Sequence, residues 1–269
     1  MQRSVFKSLF KAERPVIGML HLLPLPGSPR ARQFGVQGVI DAALFDAEAL
    51  VQGGVNGLML ENFGDLPFYP GRVAYTTVAT MTAVAQAVRT RFDLPLGINV
   101  LRNDGLSALA IAVATGAAFI RVNVLCSARL TDQGMIEGIA HDLLRERSQL
   151  NAEGISIFAD IDVKHSAALA VRPLAEETEE LIHRALADAV IVSGYGTGAA
   201  ALVEDAQQVR QAAHDTPVLI GSGISEETIA KYLPFADGFI VGTSLKEEGR
   251  IDRPVDQRRV KALLRAIQT

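Results

Sequence analysis

The stretch ISIFADIDVKH, from Ile155 to His165, joins an apolar run to a charged carboxyl end. Ile155–Val163 is predicted to form a buried β-strand, in which alternate side chains share a face. Asp160, Asp162 and Lys164 should therefore point the same way. Because charged groups do not enter an apolar core without partners, these side chains predict either a paired polar network or a reacting site.

The same unit, a short apolar strand followed by a helix, recurs eight times along the chain. The predicted strands are Val16–Leu20, Val55–Leu60, Pro95–Val100, Ala118–Val122, Ile155–Val163, Ala189–Val192, Pro217–Ile220 and Asp237–Val241. Apolar residues at helical spacing predict helices over Val39–Gln52, Thr77–Phe92, Leu106–Thr115, His141–Asn151, Ala175–Leu186, Val203–Ala213, Ser225–Leu233 and Val255–Ile267. Strict alternation is typical of a parallel sheet, and eight units in 269 residues predict a closed (β/α)8 barrel.

An open doubly wound sheet is the main competing fold for this pattern. Such a sheet usually carries a glycine-rich dinucleotide-binding turn after its first strand. The loop after the first predicted strand instead holds Pro24, Pro26 and Pro29, which stiffen it. The barrel is therefore favoured, as a single α/β domain over residues 1–269.

The composition argues against several classes of protein. A formal net charge of -4 argues against general nucleic-acid binding, because affinity for a phosphate backbone needs a basic surface. No apolar run approaches the roughly 20 residues of a membrane span, and Met1–Lys11 lacks the apolar centre of a signal peptide. Cys126 is the one cysteine, which excludes an intrachain disulfide. We expect a cytoplasmic protein, and Ala-rich helices such as Ala108–Ala114 suggest a homo-oligomer.

Polar residues collect at the carboxyl ends of the predicted strands, where the active sites of such barrels form. The candidates for catalysis are Lys164, Asp160, Asp162, Glu61, His21 and His165. The candidates for substrate binding are Asn99, Arg102, Arg121, Asn123 and Ser193.

Several roles remain open for these side chains. Lys164 could be a Schiff-base nucleophile, a general base or a partner for a substrate anion; the alternative is a structural ion pair with Asp160 or Asp162. Either aspartate could act as a general acid or base. The two histidines could shuttle protons or serve as hydrogen-bonded structural groups. The two arginines could hold a substrate anion or be satisfied by carboxylates of the protein itself.

Two short loops of small residues, Gly221-Ser222-Gly223 and Gly242-Thr243-Ser244, follow the seventh and eighth predicted strands. Small residues let backbone N–H groups approach an anion, and loops at these positions often bind phosphate in this fold. The loops therefore predict a phosphate site, as in ribulose-phosphate-binding barrels, with plain tight turns as the alternative. Ser193–Gly198 either extends that anion pocket or lies over it as a mobile loop.

The sequence calls for no particular cofactor. Glu61, Asp160 and Asp162, together with a histidine, could bind Mg²⁺ or another hard cation, since such ions prefer oxygen ligands. No compact ligand motif such as H-E-x-x-H accompanies them in the sequence.

With these residues identified, the sequence resembles the BtpA/SgcQ family of predicted TIM-barrel proteins. The matching segments are His21–Gly27, Glu61–Asn62 with Gly64–Phe68, Asn99–Asp104, Arg121–Asn123, Asp162–His165 and Ala236–Gly242. The resemblance covers nearly the whole chain and implies the barrel. Some members are associated with photosystem I biogenesis, and others resemble proteins encoded with sugar-uptake and sugar-metabolism genes.

Three functions fit these observations. The leading hypothesis is an enzyme acting on a small phosphorylated metabolite, a sugar or nucleoside phosphate, by lyase, aldolase or isomerase chemistry centred on Lys164 and the Asp160/Asp162 pair. The second is a non-catalytic BtpA-like factor for the biogenesis of photosystem I or another membrane complex, which keeps the barrel and its anion pocket. The third is a metal-dependent hydrolase using Glu61, Asp160 and His165.

Overall fold

In the computed structural model, which describes residues 1–31, 35–194, 196 and 199–268, eight parallel strands close into a barrel. The barrel strands are β1 Val16–His21, β2 Gly57–Glu61, β3 Leu96–Asn99, β4 Phe119–Val122, β7 Ser156–Asp160, β9 Ala189–Val192, β10 Val218–Ile220 and β11 Gly238–Val241. A separate antiparallel sheet, called the rim sheet below, consists of β5 Ala128–Thr131, β6 Gly134–Glu137 and β8 Ser166–Ala168. Because β1 pairs with both β2 and β11, the barrel has no open edge.

Helices surround the barrel, and within the described chain an α-helix comes after every barrel strand except β10. They are α1 Arg3–Phe10, α2 Gly35–Gly53, α3 Tyr75–Arg91, α4 Gly105–Thr115, α5 Ala140–Gln149, α6 Leu174–His183, α7 Val203–Ala212 and α8 Gln257–Gln268, with 3-10 turns at Ile229–Lys231, Thr243–Leu245 and Glu247–Gly249. Local sequence explains their ends: the Asp104 carboxylate accepts the backbone N–H of Ser107 at the start of α4, and Gly116 ends that helix with a left-handed φ of 68°. Within the described ranges, no helix is long and apolar enough to cross a membrane.

The predicted helix Ser225–Leu233 is wrong, since only Ile229–Lys231 forms one 3-10 turn in that segment. The Thr228 hydroxyl donates to the carbonyl of Gly223 at 2.8 Å and accepts the backbone N–H of Ser225 at 2.9 Å. These local side-chain bonds compete with the hydrogen bonds of a helix.

The predicted fifth strand extends too far, because β7 ends at Asp160 instead of Val163. Beyond it the chain turns through His165, whose φ of 57° is left-handed, and enters β8 of the rim sheet. β8 pairs with β5, which lies between β4 and the next helix in the sequence. Two βα loops therefore join above the barrel instead of remaining separate.

The barrel interior is filled by an apolar layer that α1 closes from below. Phe119 and Phe158 stack there with ring centroids 4.6 Å apart. Phe6 and Phe10 of α1 pack against them, with the Phe10 and Phe119 rings 5.7 Å apart. This layer seals the amino ends of the strands, so the open end of the barrel lies at the carboxyl ends.

Candidate active site

A polar layer lies directly above the apolar interior. His21, Glu61, Arg121 and Asp160 each follow an interior apolar residue by two positions, namely Met19, Met59, Phe119 and Phe158. Because side chains two apart on a strand share a face, all four point into the barrel at its carboxyl end. The burial of Glu61, Arg121 and Asp160 agrees with this arrangement.

One cavity of about 370 Å³ is lined by three of the catalytic candidates and by both phosphate-loop candidates. Its lining includes His21, Glu61, Arg121, Lys164, Gly221, Ser222, Gly223, Gly242, Thr243, Ser244 and Arg259. This volume lies within the range of roughly 300–1,000 Å³ typical of small-molecule sites. Residues from both halves of the sequence therefore meet at one place.

Glycines bring the backbone of the two loops close to side chains of the barrel. A Cβ atom on Gly242 would lie 2.4 Å from Cε1 of His21, and one on Gly221 would lie 2.7 Å from Cγ2 of Ile191. Both distances are shorter than any normal contact, so the two positions exclude larger side chains. The two glycines therefore let the backbone of these loops pack directly against His21 and Ile191.

The two loops present donors to that space. Ser222 is 6% exposed, and its hydroxyl has no hydrogen-bond partner within the described residues. Ser244 is held by a hydrogen bond from its hydroxyl to the carbonyl of Ile224 at 2.5 Å. A buried hydroxyl without a partner costs free energy, and a bound anion would supply its missing partner.

Arg259 of α8 adds a positive charge that the strand-end reasoning missed. Its Nε donates to the carbonyl of Ser244 at 2.7 Å, and its side chain lines the cavity. The neighbouring Arg258 instead forms an ion pair with Asp256 at 3.1 Å and is solvent-exposed. Arg259 lies fifteen residues beyond Ser244 in the sequence and on a helix, so no local motif marks it.

Asp160 is fully occupied by neighbouring donors. It accepts hydrogen bonds from Nε and Nη2 of Arg121 at 2.9 and 2.8 Å, from Asn123 at 3.0 Å and from Ser193 at 3.0 Å. Asn99 completes the network by donating to the carbonyl of Arg121 and to Asn123, each at 3.1 Å. Asp160 is therefore placed to orient Arg121, and Asn99, Asn123 and Ser193 support that pair.

Lys164 reaches the cavity from the turn after β7. Desolvation lowers the pKa of its amine, and Arg121 lowers it further, against the opposing effects of Glu61 and Asp160. Its backbone carbonyl accepts a hydrogen bond from Arg102, which is itself buried. Arg102 therefore fixes the main chain of Lys164. This role differs from the contact with substrate that was predicted for Arg102.

His21 and Glu61 lie side by side in the cavity. Nε2 of His21 is 3.9 Å from Oε1 of Glu61, and the His21 ring meets Phe63 edge-on at 5.0 Å. Burial lowers the pKa of His21 well below its usual value, and the cations Lys246, Lys164 and Arg121 lower it further. The imidazole is consequently neutral at pH 7 and able to accept or relay a proton.

Asp162 and His165 lie apart from this group. The expectation that Asp162 shares a face with Asp160 and Lys164 is wrong, because the strand ends first and the Asp162 carboxylate, 60% exposed, pairs with Arg129 at 2.6 Å. His165 is exposed and follows Lys164 into the rim sheet. Of the loop Ser193–Gly198, Tyr195, Thr197 and Gly198 lie outside the described residues, while nearby Ala200 lines the cavity.

The metal ligands expected from the sequence are not assembled. Among the described residues no three histidine, cysteine, aspartate or glutamate side chains lie together as a metal site would require. Asp160 is engaged by Arg121, and Asp162 by Arg129. The set Glu61, Asp160 and Asp162 therefore does not form one coordination sphere.

The chain is similar to known proteins in both structure and sequence. The structure resembles tryptophan synthase from M. tuberculosis (TM-score 0.63, 17% identity, 99% of this chain and 97% of that chain). It also resembles N-(5'-phosphoribosyl)anthranilate isomerase from Pyrococcus furiosus (TM-score 0.57, 12% identity, 95% and 98% covered). Likeness at these identities extends to the barrel fold alone.

Sequence relatives are much closer. Photosystem I biogenesis protein BtpA from Synechocystis is 46% identical, over 96% of this chain and 89% of that protein. An uncharacterized protein from Thermococcus kodakarensis is 45% identical, over 93% of this chain and 94% of its own length. The family model for BtpA matches residues 12–269. The chain therefore belongs to the BtpA family.

Proposed function

We propose that this protein is an enzyme acting on a small phosphorylated metabolite, a sugar or nucleoside phosphate. The observation that carries the proposal is one shared cavity, in which the two small-residue loops and Arg259 lie alongside Lys164, Glu61 and His21. The loops and Arg259 would hold the phosphate, and the three titratable groups would act on the rest of the ligand.

The chemistry fits lyase, aldolase or isomerase reactions. These reactions need a group that takes or gives a proton near a carbonyl and a group that stabilises the negative charge that develops. Glu61 and neutral His21 can serve as the first, and the cations Lys164 and Arg121 as the second. The isomerase that shares the fold carries a phosphoribosyl compound in its name, which agrees with the proposed class of ligand.

Thermal denaturation with ligands tests the phosphate site. Inorganic phosphate and ribose 5-phosphate should raise the melting temperature, whereas ribose at the same concentration should not, because a ligand stabilises only the state it binds. Arg259→Gln should weaken phosphate binding about tenfold or more, since a hydrogen bond to a charged group contributes about 1.5–3 kcal/mol.

The matched control is Arg258→Gln, one residue away but paired with Asp256 on the surface. It should bind phosphate as the unmodified protein does. Equal stabilisation by ribose and ribose 5-phosphate, or equal phosphate affinity in the two variants, would contradict the proposed site.

A non-catalytic biogenesis factor is the second candidate, favoured by the 46% identity to a photosystem I biogenesis protein. Such a factor could keep the anion pocket as a sensor of metabolites. An unbiased metabolite screen by thermal shift, followed by product analysis, separates the two functions. A ligand that binds and returns unchanged after prolonged incubation would favour the biogenesis factor.

A further inference from the structure

The side-chain amine of Lys164 lines the cavity, and among the described residues no carboxylate forms an ion pair with it. The nearby carboxylates of Asp160 and Asp162 pair with Arg121 and Arg129 instead. The main chain of Lys164 is anchored through its carbonyl by Arg102. The side chain is thus held at the cavity without being neutralised by an ion pair.

Desolvation and neighbouring cations make such an amine nucleophilic. Burial lowers the pKa of Lys164, and Arg121 and Arg102 act in the same direction, against Glu61 and Asp160. Lysines placed in this way, desolvated and beside another cationic group, form Schiff bases in enzymes. Lys246, which is buried, differs because its amine is bonded to Asp46 at 3.0 Å and to the carbonyl of Arg253.

We propose that Lys164 forms an imine with the carbonyl carbon of a phosphorylated aldehyde or ketone whose phosphate lies against Gly221–Gly223, Gly242–Ser244 and Arg259. This inference rests on the proposed function and narrows its substrates to carbonyl compounds. It also assigns the reaction to the lyases, aldolases and isomerases that work through a covalent intermediate.

The step balances with groups present in the cavity. The lone pair of the Lys164 amine forms a C–N bond to the carbonyl carbon, and the C=O π electrons move to oxygen. Glu61 takes a proton from the nitrogen and returns it to that oxygen, giving a carbinolamine. Glu61 then passes the remaining proton of the nitrogen to the hydroxyl group, which leaves as water while the nitrogen electron pair forms the C=N bond.

Glu61 is placed for this proton transfer. Its carboxylate is buried, lines the same cavity and lies 3.9 Å from the neutral imidazole of His21. Glu61→Gln should therefore slow imine formation about 100-fold or more, as expected for loss of a general acid–base group.

Borohydride trapping of the full-length protein tests the inference. Glyceraldehyde 3-phosphate, dihydroxyacetone phosphate and ribose 5-phosphate serve as probes, and glycerol 3-phosphate, which has no carbonyl, is the control. After reduction, the mass of Lys164 should increase by the mass of the probe minus one oxygen atom. Peptide mapping identifies the modified lysine. Excess inorganic phosphate should suppress labelling, and Arg259→Gln should reduce its rate about tenfold.

Surface Lys231 and buried Lys246 are internal references within the same digest. Selective labelling of Lys164 that phosphate suppresses supports the inference, and Lys164→Arg should abolish it. Labelling of Lys231 at the rate of Lys164, or no labelling with any of the three probes, overturns it. If phosphate still stabilises the protein in that case, the proposed phosphate site stands without the imine; if phosphate also fails to bind, both proposals fall.

Discussion

His21 should make the protein less stable in mild acid. Its folded pKa is lowered, first by burial and then by Lys246, Lys164 and Arg121, whereas the unfolded chain has the ordinary value of 6.5. Below pH 6.5 the unfolded state therefore binds a proton that the folded state does not. The free energy of unfolding consequently falls as pH drops from 6.5 toward the folded pKa, and His21 contributes no such slope above 6.5.

Urea denaturation at pH 7.5 and 5.5 measures this effect. His21→Gln should lose less stability between the two pH values than the unmodified protein, because the variant lacks the titrating group. His141→Gln, on the exposed surface of α5, is the control for replacing a histidine by glutamine. An unchanged slope in His21→Gln would contradict the prediction.

Substitution of Lys164 and substitution of Arg121 should change the stability of the ligand-free protein in opposite directions. The folded pKa of Lys164 is lowered from 10.5, so at neutral pH the unfolded state binds its proton more tightly and the charged amine costs stability. Lys164→Met should therefore melt at or above the unmodified temperature without ligand. Arg121→Met leaves the buried carboxylate of Asp160 without its cation, so the free energy of unfolding should fall by about 3–5 kcal/mol.

Differential scanning calorimetry of the ligand-free proteins checks both changes. A fall of many degrees in Lys164→Met would show that the amine is a structural partner. That result would remove the main reason for assigning Lys164 a role in chemistry.

At the residue scale, the strand-end rule found most of the candidate site. Parallel barrel strands all end at one rim, so His21, Glu61, Arg121 and Lys164 could be brought together from sequence alone. Asp162 was misplaced because alternation holds only while the strand continues. Arg259 was missed because a helix residue reaches the rim only through packing, which sequence spacing does not reveal.

Among the elements, α1 is the one whose removal from the core should matter most for stability. Phe6 is fully buried at the bottom of the barrel, with its ring 5.0 Å from Phe10 and 5.9 Å from Phe158. Phe6→Ala should cost about 3–5 kcal/mol, the usual range for a buried aromatic ring. Val5→Ala, on the exposed side of the same helix, should change stability by less than about 0.5 kcal/mol.

Chemical denaturation gives both values, and phosphate titration provides a second readout. Because Phe6 lies at the amino ends of the strands, Phe6→Ala should keep the phosphate affinity of the unmodified protein at temperatures where it is folded. Equal costs for the Phe6 and Val5 variants would mean that α1 does not seal the barrel.

The barrel strands were predictable, and the additions to the barrel were not. A buried parallel strand is recognisable in the sequence as an apolar run. Such runs predicted all eight barrel strands to within a few residues of their observed ends. The rim sheet was not predicted from the sequence, because its strands are three or four residues long and mostly half-buried or exposed. Buried Arg129 holds this sheet to the barrel by pairing with Asp162 and Glu177, a role that only the structure reveals.

For the whole molecule, association remains a prediction. Leu130 and Met135 are paired across β5 and β6 and are more than half exposed, so the rim sheet presents an apolar face. Exposed apolar patches often mark protein interfaces. We expect a homo-oligomer in light scattering at micromolar concentration; a clean monomer mass would contradict it, and Leu130→Glu should weaken association through this face.

Closure of the barrel predicts that residues 1–269 unfold as one domain. β1 pairs with both β2 and β11, which joins the beginning of the chain to its end. Asp46 of α2 strengthens this junction by accepting hydrogen bonds from the amine of Lys246 at 3.0 Å and from the backbone N–H of Val255 at 2.9 Å. Opening either half of the barrel would expose strand edges and break these bonds.

The expected outcome is a single cooperative transition. Far-ultraviolet circular dichroism and tyrosine fluorescence, to which buried Tyr232 contributes, should report the same midpoint, and the calorimetric and van't Hoff enthalpies should agree. Phe6→Ala at the bottom of the barrel should lower both midpoints equally, although Tyr232 lies far along the chain near β10. Two resolved transitions, or a shift of one probe alone, would show that the barrel consists of separately unfolding parts.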